Sequence, residues 1–118
     1  YINRVKPPFD VSLLAQTAGT AALEDREFYK MVVSKTTEER EYFRSELDRL
    51  GVSYVPSQTN FFLIDTGMDA HKVFEELQRR GIIVRPGTNF GLPSYIRVTL
   101  GTHEENEYFF QKLYEVIQ

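Results

Sequence analysis

Two arginines, Arg85 and Arg97, flank the Gly- and Pro-rich stretch 86–94, each set in a run that reads as a strand: Ile82-Ile-Val-Arg85 and Tyr95-Ile-Arg-Val-Thr-Leu100. Strand side chains alternate between faces, so Ile96, Val98 and Leu100 share one face of the later run while Tyr95, Arg97 and Thr99 share the other. In the earlier run Ile82 and Val84 fall together, and Ile83 falls with Arg85. If the runs pair as a hairpin around the intervening loop, the guanidiniums stand side by side. Their repulsion is relieved by an anion, and the guanidinium fork matches carboxylate or phosphate oxygens. The alternative is that each arginine meets a nearby glutamate or the solvent. Asn60, ahead of Phe61-Phe-Leu-Ile-Asp65, either donates and accepts toward a substrate or closes a turn.

Other chemistries find less support. His71 and His103 each stand near a helix start, with no ligand-spaced His, Asp or Glu around them, so both are expected to face solvent and no metal site is expected. Gly87-Thr-Asn-Phe-Gly91 lacks the glycine spacings that present amides to a diphosphate. Asp65-Thr66-Gly67 after an apolar run resembles the active-site turn of aspartic proteases. That mechanism needs two carboxylates sharing a proton in an almost wholly β architecture, and this chain has too much helix. Asp65 to Asp69 is therefore read as a polar strand-to-helix turn. No G-x-S-x-G elbow is present. Lys6, Lys30, Lys35, Lys72 and Lys112 sit in linkers or on amphipathic helices and are expected at the solvated surface, so no residue is assigned a catalytic role.

The elements that would position these groups are readable. Pro7-Pro8 holds an extended entry, and Asp10 or Ser12 caps a helix. From Ser12 to Leu23 there is no charge, and Ala15, Ala18, Gly19 and Ala22 form a smooth face. A helix without a polar side is normally buried all round, so something outside this chain is expected to cover it. Residues 25–50 read as a second helix stopped by Gly51, with Ser34-Lys-Thr-Thr37 a candidate bend. After the run Val52–Val55 and the Pro56-Ser57 turn, residues 60–65 form a central strand. Ala70, Val73, Phe74 and Leu77 mark a helix ended by Gly81. Ile82–Arg85 and Tyr95–Leu100 are strands, and the Thr102/Glu105 capping box opens the last helix. The expected fold is a two-layer α/β sandwich, order α-α-β-α-β-β-α, with a mainly antiparallel sheet.

Composition narrows the class further. The 118 residues suffice for one core, and 42% hydrophobic with 14% aromatic residues supply it. A formal charge of -3 gives no basic footprint for nucleic acid or anionic membranes. No apolar run approaches a membrane span, and the absence of cysteine suits a reducing cytoplasm. A first residue that is Tyr1 rather than Met hints at an excised piece.

Four ordered motifs then converge on a family. Pro8-Phe-Asp-Val-Ser-Leu-Leu-Ala-Gln16, Pro56-Ser-Gln-Thr-Asn60-Phe-Phe-Leu-Ile, Gly81-Ile-Ile-Val-Arg85 and Ile96-Arg97-Val-Thr-Leu-Gly101-Thr-His-Glu-Glu-Asn106 resemble the histidinol-phosphate aminotransferases, fold-type-I enzymes dependent on pyridoxal 5'-phosphate. The match runs along the whole chain and corresponds to about the C-terminal third of such an enzyme. The resemblance implies that residues 1–24 are a helical segment leading from a large cofactor-binding domain, and that residues 25–118 are the small C-terminal α/β domain. It implies that Arg97 binds the substrate carboxylate, that Arg85 helps hold substrate phosphate, and that Asn60 lies near the same end of the pocket. The family's Schiff-base lysine, in a Ser-x-x-Lys context, and its pyridinium-pairing aspartate have no match here. Cofactor attachment is thus expected in the large domain, and this polypeptide alone is expected to be inactive. The resemblance also implies a cytoplasmic homodimer. Alternatives are an aromatic aminotransferase, a threonine-phosphate decarboxylase, or a free-standing α/β ligand-binding module.

Overall fold

The computed structural model describes residues 11–118. Its elements are α1 (Leu13–Glu24), α2 (Arg26–Leu50), β1 (Ser53–Val55), β2 (Phe61–Asp65), α3 (Ala70–Arg79), β3 (Arg85–Pro86), a short 3-10 turn (Thr88–Phe90), β4 (Tyr95–Thr99) and α4 (His103–Ile117). Contacts divide the chain into two compact units, with the boundary between Lys35 and Thr36. That boundary falls inside α2. The two buried residues of α2, Phe43 and Leu47, both lie beyond it. The polar run Ser34–Thr37 does not interrupt the helix.

In the first unit, the Ser12 hydroxyl caps α1 by accepting from the Ala15 amide at 3.2 Å. The other expected capping candidate, Asp10, lies outside the described residues. Thr17 and Thr20 turn their hydroxyls back onto the carbonyls of Leu13 and Gln16, each at 3.0 Å. Apart from Gln16 and the terminal Glu24, what remains on the helix surface is apolar, and no residue of α1 is buried. Asp25 then caps α2, its carboxylate accepting from the Phe28 amide at 3.0 Å.

In the second unit, four strands run in the order β1-β2-β4-β3 and every neighbouring pair is antiparallel. Val52–Val55 contributes a strand of its own, so two strands stand between α2 and α3 where the expected order had one. Phe62 and Ile64 of β2, with Ile96 and Val98 of β4, point to one face and are buried among Phe43, Leu47, Val73, Leu77, Phe109 and Leu113 of the helices. Phe43 stacks between Phe62 and Phe109, with ring centroids 5.3 and 5.5 Å away. The expected capping box closes α4: the Thr102 hydroxyl accepts from the Glu105 amide while the Glu105 carboxylate accepts from the Thr102 amide.

One strand is shorter than its composition suggests. α3 ends with the Gly81 amide donating to the Gln78 carbonyl and the Ile82 amide donating to the Leu77 carbonyl, at 3.0 and 2.9 Å. This six-to-one closure keeps Ile82 in the helix terminus. Ile82 to Val84 consequently lie outside the ladder, and β3 begins only at Arg85.

Candidate functional site: paired arginines on the open sheet face

The alternation that buries Phe62, Ile64, Ile96 and Val98 sends Phe61, Leu63, Tyr95 and Arg97 to the opposite, half-buried face. Late as β3 starts, its register sets Arg85 directly opposite Arg97. The expected juxtaposition is present. Like charges in that relation destabilise a sheet by about 0.2–1 kcal/mol, and among the described residues neither guanidinium has an ion-pair partner. By contrast Arg44, Arg49, Arg79 and Arg80 each pair with a glutamate three or four residues away, and Arg80 also reaches Glu115 of α4.

Arg85 and Arg97 open onto a cavity of about 180 Å³ whose other walls are Phe61, Leu63, Pro86, Gly87, Phe90 and Leu92. The Arg97 guanidinium carbon lies 5.3 Å from the centre of the Phe61 ring, and that of Arg85 lies 5.2 Å from the centre of the Phe90 ring. Larger cavities of about 420 and 290 Å³ exist elsewhere in this unit. In the first of these Arg49 is already held by Glu46, and the other is lined around Ile82 and Phe109 with Glu105 and Asn106 but with no arginine or lysine. Convergent unpaired charge, not size, singles out the arginine cavity.

The loop that completes this cavity has little freedom. The Gly87 amide donates to the Tyr95 carbonyl at 2.7 Å, and the Leu92 amide to the Gly87 carbonyl at 3.2 Å. A Cβ on Gly87 would meet the Leu92 and Tyr95 carbonyl oxygens at 2.8 and 2.9 Å, so no larger residue fits. Gly91 turns the chain at φ 75°, the left-handed region that glycine enters without strain. His71, expected to face solvent alone, has its Nε2 3.0 Å from the Thr88 Oγ1 and ties α3 to this loop.

Asn60 does not line the cavity. It immediately precedes Phe61, is exposed, and accepts the Leu100 amide at its backbone carbonyl at 2.8 Å, extending the β2–β4 ladder by one bond. His103 stands against the Tyr42 ring and lies 3.1 Å from Glu39, again partnered rather than free. Glu39 also accepts from Asn106, whose side chain binds both the amide and the carbonyl of Gly101. Asp65 closes the strand-to-helix turn as expected. Hydrogen bonds from the Ser94 side chain and then the Gly67 amide hold its carboxyl below the usual carboxylate range, against the opposing effect of partial burial.

No described lysine enters the arginine cavity. Lys30 pairs with Glu27 and Lys112 with Glu115, while Lys35 and Lys72 are exposed; Lys6 lies outside the described residues. Among the described residues no three His, Asp or Glu side chains gather as a metal site, and no helix is long and apolar enough to cross a membrane. The site therefore fits recognition of an anion by two guanidiniums and does not fit covalent attachment of an aldehyde cofactor. Phe61 and Phe90 were missed as site residues. The alternation that put Arg97 on the open face puts Phe61 there too, whereas Phe90 sits in a loop without periodicity.

Residues 1–113 match the family described as aminotransferase class I and II. Histidinol-phosphate aminotransferase 2 of Carboxydothermus hydrogenoformans is 44% identical over 117 residues, covering 99% of this chain and 32% of the relative. The crystal structure of histidinol-phosphate aminotransferase from Sinorhizobium meliloti in complex with pyridoxal-5'-phosphate aligns with TM-score 0.79 and 28% identity, over 98% of this chain and 33% of that one. That from Clostridium acetobutylicum aligns with TM-score 0.82 at 24% identity, covering 98% and 36% respectively, a likeness of fold. The chain thus spans about a third of the length of the curated relatives it matches.

Proposed function

Because this chain belongs to the aminotransferase class I and II family, we propose that it is the substrate-gripping C-terminal part of a pyridoxal-phosphate-dependent histidinol-phosphate aminotransferase. The reaction is amino transfer between glutamate and imidazole acetol phosphate, giving 2-oxoglutarate and histidinol phosphate. The observation that carries this reading is the Arg85–Arg97 pair, opposed across β3 and β4 without a carboxylate partner among the described residues. Both substrates are anions. Arg97 grips the anionic group of either one, the carboxylate or the phosphate, Arg85 helps it hold the phosphate, and each contact orients the reacting carbon, a proximity role rather than an acid–base one. Asn60, at the β2 entrance beside Phe61, reaches the same substrate from the rim.

Pyridoxal phosphate belongs, on this reading, to the part of the protein outside this chain, since the described lysines are ion-paired or exposed and none faces the arginine cavity. That part also covers helix α1, which carries no charge before Glu24 and whose residues are all exposed within this chain. The full-length enzyme is a cytoplasmic homodimer. It is tested by assaying that enzyme with histidinol phosphate, aromatic amino acids and threonine phosphate under identical conditions. The proposal expects the highest kcat/KM for histidinol phosphate with 2-oxoglutarate. Preference for an aromatic amino acid, or decarboxylation of threonine phosphate, would replace it with the corresponding related enzyme. Absence of any pyridoxal-dependent activity would return the chain to a ligand-binding module.

A further inference from the structure

We propose that Phe61 and Phe90 are positioning residues for the two guanidiniums, Phe61 for Arg97 and Phe90 for Arg85; the inference rests on the anion-clamp reading and extends it. A long arginine side chain on an open sheet face samples many rotamers unless something holds it. A carboxylate would hold it, but at the cost of occupying the in-plane N–H groups that an incoming anion needs. An aromatic ring holds the guanidinium by its flat face and leaves those edge donors free. The two separations, 5.3 Å for Arg97 to Phe61 and 5.2 Å for Arg85 to Phe90, lie within the reach of that interaction, roughly 6 Å from the ring centre.

The fold delivers both rings to this task. Leu63 stands directly across from Arg97 and Phe61 across from Thr99, so the Phe61 ring reaches Arg97 on the diagonal, a distance aromatic side chains span. Phe90 is carried over Arg85 by the 3-10 turn, whose entry Gly87 is packed against two carbonyl oxygens and whose Thr88 is tied to His71. Each ring also walls the cavity. The two platforms differ in setting, since Phe61 is half-buried on a strand while Phe90 is 63% exposed on a loop. The larger effect is therefore expected at Phe61.

The test uses the full-length enzyme with Phe61→Leu, Phe61→Tyr, Phe90→Leu, Arg97→Ala and the double variant Phe61→Leu/Arg97→Ala. Inorganic phosphate, as a competitive inhibitor, serves as a second probe of the clamp. Phe61→Leu is expected to raise KM for the carboxylate substrate about three- to tenfold, with a smaller change in kcat, and Phe61→Tyr to restore it. Phe90→Leu, at an exposed site that does not threaten folding, is expected to weaken phosphate inhibition about two- to threefold. In the Arg97→Ala background Phe61→Leu should add nothing. If Arg97→Ala raises KM but Phe61→Leu does not, or Tyr fails to rescue, or the two losses add in the double variant, the platform role is overturned while the clamp stands. If Arg97→Ala itself leaves KM unchanged, the clamp reading fails first.

Discussion

The two faces of the sheet in residues 36–118 are built to opposite rules. On the helix-covered face the central strands present only apolar side chains that complete their neighbours: Phe43 stacks between Phe62 and Phe109, and Ile64, Ile96 and Val98 fill the same core. On the open face the same strands carry Arg97 beside Arg85, with aromatic rings where a carboxylate would normally stand. A register slip of one residue would exchange the two sets, so the burial that fixes the fold also fixes where the guanidiniums point. Stability and recognition are thereby separated across the thickness of a single sheet.

That separation breaks down or sharpens under substitution. The largest stability loss is expected at the covered face: Phe43→Ala, which empties the centre of the aromatic stack, should cost about 3–5 kcal/mol in urea unfolding. Next comes the polar brace at the end of β4. Asn106→Ala removes a nearly fully buried side chain and leaves the Gly101 amide without its acceptor, for a loss of about 1–3 kcal/mol. Acid should reveal the third. The carboxyl of Asp65 titrates lower in the folded chain than in the unfolded one, so its contribution is complete above the unfolded value, near pH 4, and is lost as pH falls through the folded value. Asp65→Asn should therefore flatten the acid limb of the stability profile and leave its shape at neutral pH unchanged. Smallest is the open face itself. Arg97→Ala removes one ring contact and one like-charge opposition, and the unfolding midpoint should move by no more than the equivalent of about 0.5 kcal/mol.

Much of this contrast is legible in the sequence because it rests on local rules. Alternation in Tyr95–Thr99 assigns the faces, Thr102 and Glu105 announce the start of α4, and the flanking positions of Arg85 and Arg97 suggest their pairing. What escaped depends on contacts made at a distance. Ile82-Ile-Val84 has strand composition, yet the Ile82 amide is already committed to the end of α3. His71 and His103 carry no local sign of Thr88 and Glu39, which other elements bring to them. Asn60 reads as ligand or turn from its type alone, and in the fold it precedes Phe61 at the start of β2 rather than walling the cavity itself. The boundary between Lys35 and Thr36 falls within the Ser34–Thr37 run that the sequence marks as a candidate bend, although the helix passes through it unbroken.

The most direct test measures KM for the carboxylate and phosphate substrates in the full-length enzyme carrying Arg97→Ala or Arg85→Ala. Loss of a charged hydrogen-bonding partner predicts an increase of about ten- to a hundredfold for Arg97→Ala with both substrates, and for Arg85→Ala with the phosphate substrate alone. Unfolding should barely respond in either variant. Unchanged kcat/KM in both variants would contradict the account.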